Sequence, residues 1–310
     1  MNKYLTFILF FFASTKAYPQ LLGNPHSIVY AMDIQPETNL VVAALDRNRI
    51  EVWNYKTKKL IREWPMTTQV NAVKFLDNVL VAALTDGYVE MYDTTRFERV
   101  AHERVSSAPL IYLTRLETGF AASDELGNVF ILADEESEVH FTKLLSVEGR
   151  IAALEFIGSR NVLATAQGEG KLSLWSIPEG KLLQQRVIGH FPIMALKSGV
   201  DQNRLIATFS NGSAFVYNTA PNDFELPIVA KHRPGGWPLA LDYFASMTAI
   251  GASNGNVLIY ANRVTYRKRL RSMINVIRIV PNAVGAITLI VGTHGNGLQI
   301  LKASDMKMEQ

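Results

Sequence analysis

Polar turns followed by short strands of alternating polarity recur along the whole chain. Each segment follows a run of small apolar residues, passes through a polar turn and ends on a large apolar residue or an aromatic ring. The seven segments are DRNRIEVW (46–53), TDGYVEMY (85–92), ELGNVFIL (125–132), GEGKLSLW (168–175), SNGSAFVY (210–217), SNGNVLIY (253–260) and HGNGLQIL (294–301). By subtraction, their last residues are 39, 40, 43, 42, 43 and 41 positions apart. A period near 40 predicts a chain built from one small sheet per repeat.

The segments around each turn predict four strands per repeat. The run before the turn, such as Leu40–Ala44 or Val79–Ala83, is rich in Ala, Val and Leu, which is typical of a strand buried on both faces. A further apolar stretch lies upstream of it in the repeats, for example at 72–75, 152–156 and 239–243. The stretches that follow, at 58–63, 97–102, 181–186 and 267–272, are short and polar, as edge strands are.

The turn residues have a local reason. A tight hairpin needs a positive φ, which Gly and Asn adopt most readily. The residues predicted to supply it are Asn48, Gly87, Gly127, Gly170, Gly212, Gly255 and either Gly295 or Gly297. A phosphate-binding glycine loop would need a helix after it, and a strand is predicted there instead.

The fourth strand of the last repeat is missing from its own segment. Residues 306–310 are too short and polar to supply it, so we expect Gln20 to Tyr30 to pair with the seventh repeat. That pairing would close a ring and protect its sheet edges. The predicted fold is an all-β, seven-bladed β-propeller of four-stranded antiparallel blades, formed by residues 18–310 as one domain.

The first residues follow a secretory pattern. Lys3 precedes the apolar run 4–13, and small residues in 15–17 suit a signal peptidase, so we predict cleavage after Ala17. About 10 apolar residues are too few for an anchor, which needs roughly 20. The mature chain, residues 18–310, is expected in the periplasm or secreted medium, without an integral membrane span.

Charge and cysteine content narrow the function. The formal charge of +3 falls to +1 when Lys3 and Lys16 are removed, which gives no global attraction to nucleic acid or anionic lipid. The absence of Cys excludes disulfides, thiolate catalysis and Cys-ligated zinc. The chain must therefore fold on its apolar core alone, and we expect a monomer.

The strand ends resemble the WD40 propeller family. That family shows Trp-Asp where this chain has Trp53-Asn54, Tyr92-Asp93, Trp175-Ser176 and Tyr217-Asn218, and its Gly-His pair occurs once, as Gly189-His190. The resemblance implies a structural role for His190, but most repeats depart from the family's His–Asp tetrad, which leaves the subfamily open. In layout the chain is also similar to the accessory propellers encoded with bacterial periplasmic nitrate reductases. This implies a role in assembly of, or electron supply to, a molybdenum enzyme.

Catalytic motifs are not apparent. The six His are separate in sequence, no Ser lies in a Gly-x-Ser-x-Gly elbow, and the acidic run 134–138 is better explained as an edge hairpin than as a calcium loop. We therefore predict no enzyme activity, no cofactor and no metal. The alternative is a lactonase-like, calcium-dependent hydrolase whose ligands come from several blades. Convergence of inner-strand acids such as Glu155 and Asp242 would favour it.

Two segments are candidates for binding a protein partner. The loop 231–238 carries His232, Arg233 and Trp237 together with two Pro and two Gly, and Trp237 could be an exposed anchor or could pack beneath the loop. A basic run, Arg263 with Arg267, Lys268, Arg269 and Arg271, is predicted on the outer edge of blade six, with Arg267, Arg269 and Arg271 on one face. Edge protection explains the run, and an acidic protein or a membrane surface could also bind it. The expected function is a protein-interaction scaffold or accessory protein in the exported compartment, with an envelope-assembly subunit as a further alternative.

Overall fold

The computed structural model describes residues 19–309 except 136–137, 200–202, 220–225, 227, 262–263 and 281–285. The predicted signal peptide, residues 1–17, and Arg263 lie outside the described residues. Among those that are described, no helix is long and apolar enough to cross a membrane.

The chain forms seven antiparallel sheets. Blade one is β2 (Val29–Gln35), β3 (Leu40–Leu45), β4 (Arg49–Asn54) and β5 (Lys59–Pro65); blade two is β6 (Val70–Leu76), β7 (Val79–Leu84), β8 (Tyr88–Asp93) and β9 (Glu98–Arg104); blade three is β10 (Leu110–Arg115), β11 (Phe120–Asp124), β12 (Asn128–Glu135) and β13 (Glu138–Ser146). Blade four is β14 (Ala153–Ile157), β15 (Val162–Gln167), β16 (Lys171–Ser176) and β17 (Leu182–Val187); blade five is β18 (Ile193–Gly199), β19 (Arg204–Phe209), β20 (Ala214–Asn218) and β21 (Ile228–His232). Blade six is β22 (Pro238–Phe244), β23 (Met247–Ala252), β24 (Asn256–Ala261) and β25 (Val264–Arg269), and blade seven contains β26 (Ile274–Val280), β27 (Thr288–Thr293) and β28 (Leu298–Lys302). Short 3₁₀ turns lie at Gly158–Arg160, Gly168–Gly170 and Ala303–Asp305.

The blades form a closed ring. The first strand of each blade contacts the first strand of the next, and β26 of blade seven contacts β2 of blade one. The fold is therefore a seven-bladed β-propeller, as the repeats predict. The axis is lined by the seven first strands.

Both ends of the chain complete outer edges. A short strand, β1 (Gln20–Leu22), pairs with β28 as the fourth strand of blade seven, so the predicted closure is confirmed for these three residues. Val29 and Tyr30 belong instead to the first strand of blade one. As predicted, residues 306–309 do not supply the fourth strand of blade seven. The sequence analysis did not anticipate that β29 (Lys307–Glu309) would pair with β25 and add a fifth strand to blade six. Backbone pairing at an open edge needs few residues and little apolar character.

Burial follows strand order within each blade. In β3, β15 and the other second strands nearly every side chain is buried, whereas β5 and β9 are mostly exposed. The predicted turns adopt a positive φ; at Gly87 it is 87°, and a Cβ would lie 2.1 Å from the carbonyl oxygen of Ser106. Glycine is required there because the loop to the next blade packs directly on the turn.

That packing defines one face of the propeller. The loops between blades lie against the turns between second and third strands: the backbone amide of Met66 donates to Asn48 O at 2.7 Å, and that of Leu270 donates to Gly255 O at 2.8 Å. We call this the upper face. The turns between first and second strands lie on the opposite, lower face.

Candidate functional site

The loop from blade five to blade six, residues 233–237, is a fixed element of the upper face. The backbone amide of Trp237 donates to the hydroxyl of Ser253 at 3.0 Å, and the backbone amide of Ser253 donates back to Trp237 O at 2.8 Å. Gly235 and Gly236 both have a positive φ, and the Asn256 side chain donates to Pro234 O at 3.3 Å. The two Gly therefore shape a loop that is held on the turn of blade six.

This fixed loop presents an aromatic ring to solvent. Trp237 is 60% exposed, so its ring does not pack beneath the loop. Trp can contribute a large contact area with little conformational freedom to lose, and it is enriched among interface hot spots. Trp237 is thus the exposed aromatic side chain of the loop, and its role in binding a partner stays a prediction.

Two depressions flank the loop, and both have basic linings. On the blade-five side, a depression of about 520 Å³ is lined by Lys231, His232 and Arg233 together with Phe215 and the loop glycines. On the blade-six side, one of about 490 Å³ is lined by Arg269 and Arg271 beside Ser253 and Asn254. We call the 233–237 loop with these two depressions the Trp237 surface. Its charged side chains favour an acidic partner.

His232 has a structural contact within this surface. Its ring stacks on Tyr260 of blade six, with centroids 3.8 Å apart and planes 18° from parallel. Burial lowers the pKa of His232 to about 4, so the ring is neutral at pH 7. His232 therefore supports the junction between two blades, and Arg233 supplies the charge beside it.

The basic run is divided by the end of β25. Arg267 and Arg269 are exposed on the strand as predicted, but the strand ends at Arg269, and Arg271 lies in the following loop. Lys268 is partly buried, and its ammonium group donates to Asp305 O at 3.0 Å. The run does not form the outer edge of blade six, because β29 pairs outside it and Glu309 lies 3.6 Å from the Nε of Arg267. Arg269 and Arg271 join the Trp237 surface, whereas Arg267 does not line either depression.

Two other sequence candidates have clear positions. Of the acidic run 134–138, residues 136–137 lie outside the described residues, and Glu135 at the end of β12 pairs with Glu138 at the start of β13, as expected for an edge hairpin. His190 is exposed in the loop between blades four and five, unlike a buried structural histidine of a WD40 blade. The structural role that the resemblance to WD40 propellers implies for His190 does not account for this exposure.

A ring of charges on the axis was missed by the sequence analysis. One register position of the first strand carries, in blade order, Asp33, Lys74, Thr114, Glu155, Lys197, Asp242 and Arg278. Six of the seven positions are charged, the signs alternate around the ring, and Thr114 alone interrupts them. We call this the axial ring.

Each acid of the axial ring bonds the following blade. Asp33 accepts from the backbone amide of Phe75 at 3.0 Å, and Asp242 accepts from that of Ile279 at 2.7 Å. Glu155 accepts both the backbone amide of Ser198, at 3.0 Å, and its hydroxyl, at 2.9 Å. A carboxylate that accepts a backbone amide of the next blade thus joins blades one and two, four and five, and six and seven.

The cations of the ring complete these pairs. Arg278 Nε lies 3.0 Å and Lys74 Nζ 3.7 Å from the same Asp33 oxygen, and Lys197 Nζ lies 3.3 Å from Glu155. Burial opposes the charge on Asp33, but Lys74 and Arg278 hold its pKa below the usual range. Glu155 raises the pKa of Lys197. Buried charges with such partners and hydrogen bonds can persist away from bulk water.

The inner-strand acids therefore converge on the axis, but each does so beside a cation or a backbone amide. Among the described residues, no group of three or more His, Asp or Glu side chains is placed to hold a metal ion. The signal for the ring is present in the sequence: the seven positions are 41, 40, 41, 42, 45 and 36 residues apart. Aligning the repeats on their first strands, instead of their third, would have revealed it.

Fold and surface together define the class, a seven-bladed β-propeller with a fixed aromatic loop in a basic environment. No protein-family model matches the chain, and no curated protein matches it in sequence.

Proposed function

We propose that this chain is an exported protein-interaction scaffold that binds an acidic partner at the Trp237 surface. The observation that carries the proposal is the 60% exposure of Trp237 on a loop that is bonded to the neighbouring blade. A preordered aromatic anchor loses little entropy on binding, and basic depressions on either side orient an acidic partner.

The test is affinity capture with matched variants of the mature chain. Tagged wild type, a Trp237→Ala and Arg233→Ala double variant, and Phe244→Ala are used as baits in the exported fraction, followed by mass spectrometry. Phe244 is a fair control, because it is an aromatic residue 42% exposed at the turn between β22 and β23 on the lower face. A specific partner should be captured by wild type and Phe244→Ala but lost from the double variant.

The contribution of Trp237 to binding is measured as the change in affinity for the purified partner. Trp237→Ala alone should weaken binding about 30-fold, the equivalent of roughly 2 kcal/mol for a hot-spot residue. Binding should also weaken as salt rises, because complementary charges are screened. Equal capture by all three baits, or equal loss from the Phe244→Ala control, would reject this surface as the binding site.

A narrower hypothesis concerns the partner. The layout of a secretory segment followed by seven degenerate WD40-like blades is similar to the accessory propellers of periplasmic nitrate reductases, which supports a role beside a respiratory reductase. Subunits of such a reductase should then be among the proteins captured by wild type and lost from the double variant. A different envelope protein with that behaviour would leave the scaffold proposal intact and reject the reductase.

A further inference from the structure

The upper part of the axis contains a cavity that is separate from the Trp237 surface. Its volume is about 200 Å³, well above the roughly 10–15 Å³ that one water needs. The first strands of several blades line it, and they supply the polar groups of Asn71, Tyr112 and Asn275. The axial ring bounds it at Lys74 and Arg278.

The charged residues that line this cavity are both cations. Among the described lining residues they are Lys74 and Arg278, whose side chains keep 18% and 15% of their surface accessible. Asp33 lies between them in blade order but is directed to the Phe75 amide and to both cations. The two cations therefore share one carboxylate.

Because Thr114 is uncharged, Lys74 has fewer neighbouring carboxylates in the ring than Lys197 or Arg278 has. Lys197 lies between Glu155 and Asp242 in the ring, and Arg278 lies between Asp242 and Asp33. Lys74 has Asp33 on one side, at 3.7 Å, and the neutral Thr114 on the other. Burial lowers the pKa of Lys74 to about 8, with Arg278 and Lys197 also acting to lower it. An alternating ring would have an acid at the position of Thr114.

We propose that the axial cavity binds a small oxyanion, a carboxylate or phosphate group, at Lys74 and Arg278. The anion supplies the negative charge that blade three lacks. The Nε of Arg278 donates to Asp33, and its Nη1 donates to Ile277 O at 2.8 Å. The guanidinium group has five N–H donors, so donors remain for a planar or tetrahedral oxyanion. Burial strengthens such a pair because solvent screening is weak there.

The probes are inorganic phosphate and acetate, each compared with chloride at equal ionic strength, on the mature chain. Binding is measured by isothermal titration calorimetry and by the rise in melting temperature. Phosphate or acetate should bind and stabilise where chloride does not. Lys74→Met should weaken that binding by about 10- to 100-fold, as expected for one charge-assisted hydrogen bond. The exposed Lys302→Met is the control and should bind as wild type does.

A second variant separates binding from folding. Thr114→Glu places a carboxylate at the one uncharged position of the axial ring. The variant should therefore be at least as stable as wild type and should not bind the anion. Trp237→Ala should leave anion binding unchanged, because Trp237 lies outside the cavity, and this distinguishes the anion site from the partner site. The proposal is overturned if neither anion binds better than chloride, or if Lys74→Met or Thr114→Glu binds like wild type.

Discussion

The acids of the axial ring act between blades. Asp33, Glu155 and Asp242 each accept a backbone amide of the following blade, and two of them also face a cation across that junction. Removing one partner from such a set leaves the other buried and uncompensated, which costs more than the net value of the pair. The axial ring should therefore be sensitive to single neutral substitutions.

Asp33→Asn tests this sensitivity. We expect a loss of about 3 kcal/mol in the free energy of unfolding at pH 7, measured by urea denaturation. The folded pKa of Asp33 lies below the value of 3.8 for a free carboxyl, so its contribution is complete above that pH and is lost as pH falls through the folded pKa. The gap between wild type and variant should narrow in acid. The exposed Glu117→Gln should change stability little at either pH, and a constant gap down to acid unfolding would contradict the assignment.

At the scale of strands, closure of the ring depends on a very short element. β1 has only three residues, but Leu22 is 2% exposed and belongs to a core cluster with residues of blades one and seven, including Val29 and Ile300. Its neighbour Leu21 is 39% exposed on the same strand. Alternation along one strand thus provides a matched pair of leucines.

Leu22→Ala should lower the free energy of unfolding by about 2–4 kcal/mol, because a buried leucine leaves a cavity. Leu21→Ala should cost under about 0.5 kcal/mol, as exposed positions do. Both variants retain the backbone pairing with β28, so urea denaturation reports the side chains alone. Equal effects for the two would show that β1 closes the ring by backbone pairing only.

Strand-level prediction succeeded where a signal repeats and failed where it occurs once. Turn glycines and buried second strands recur every 40 residues or so, which made the blades and the edge hairpins predictable. β29 is a single polar segment, and its pairing depends on an edge of blade six that exists only after folding. The axial ring was missed for another reason: six of the seven first strands carry one charged residue at the ring position, and each resembles an ordinary exposed position until the seven strands are superimposed. The sequence left the exposure of Trp237 open, because the loop is held by a bond to Ser253 that no local pattern specifies.

At the scale of the whole molecule, the junction of blades seven and one has the same kind of side-chain bond as the junction of blades two and three, but its partners are far apart in sequence. The side-chain amide of Asn275 donates to Val29 O at 2.9 Å across the closing junction, and the two residues are 246 positions apart. The side-chain amide of Asn71 donates to Leu110 O at 2.7 Å across the junction of blades two and three, and these residues are 39 positions apart. The acceptor residues, Val29 and Leu110, are both fully buried. The two bonds should therefore contribute similarly to the stability of the folded state but should form at different stages of folding.

Asn275→Ala and Asn71→Ala should each cost about 1–2 kcal/mol at equilibrium, because each leaves a buried carbonyl without its donor. Their kinetic effects should differ, since closing the ring requires the ends of the chain to meet and long loops close at a larger entropic cost. Asn275→Ala should mainly accelerate unfolding, whereas Asn71→Ala should also slow folding. Stopped-flow folding and unfolding in urea separate the two contributions. If Asn275→Ala slowed folding as much as Asn71→Ala, closure would precede the assembly of neighbouring blades, and the ring would form from its junction outward.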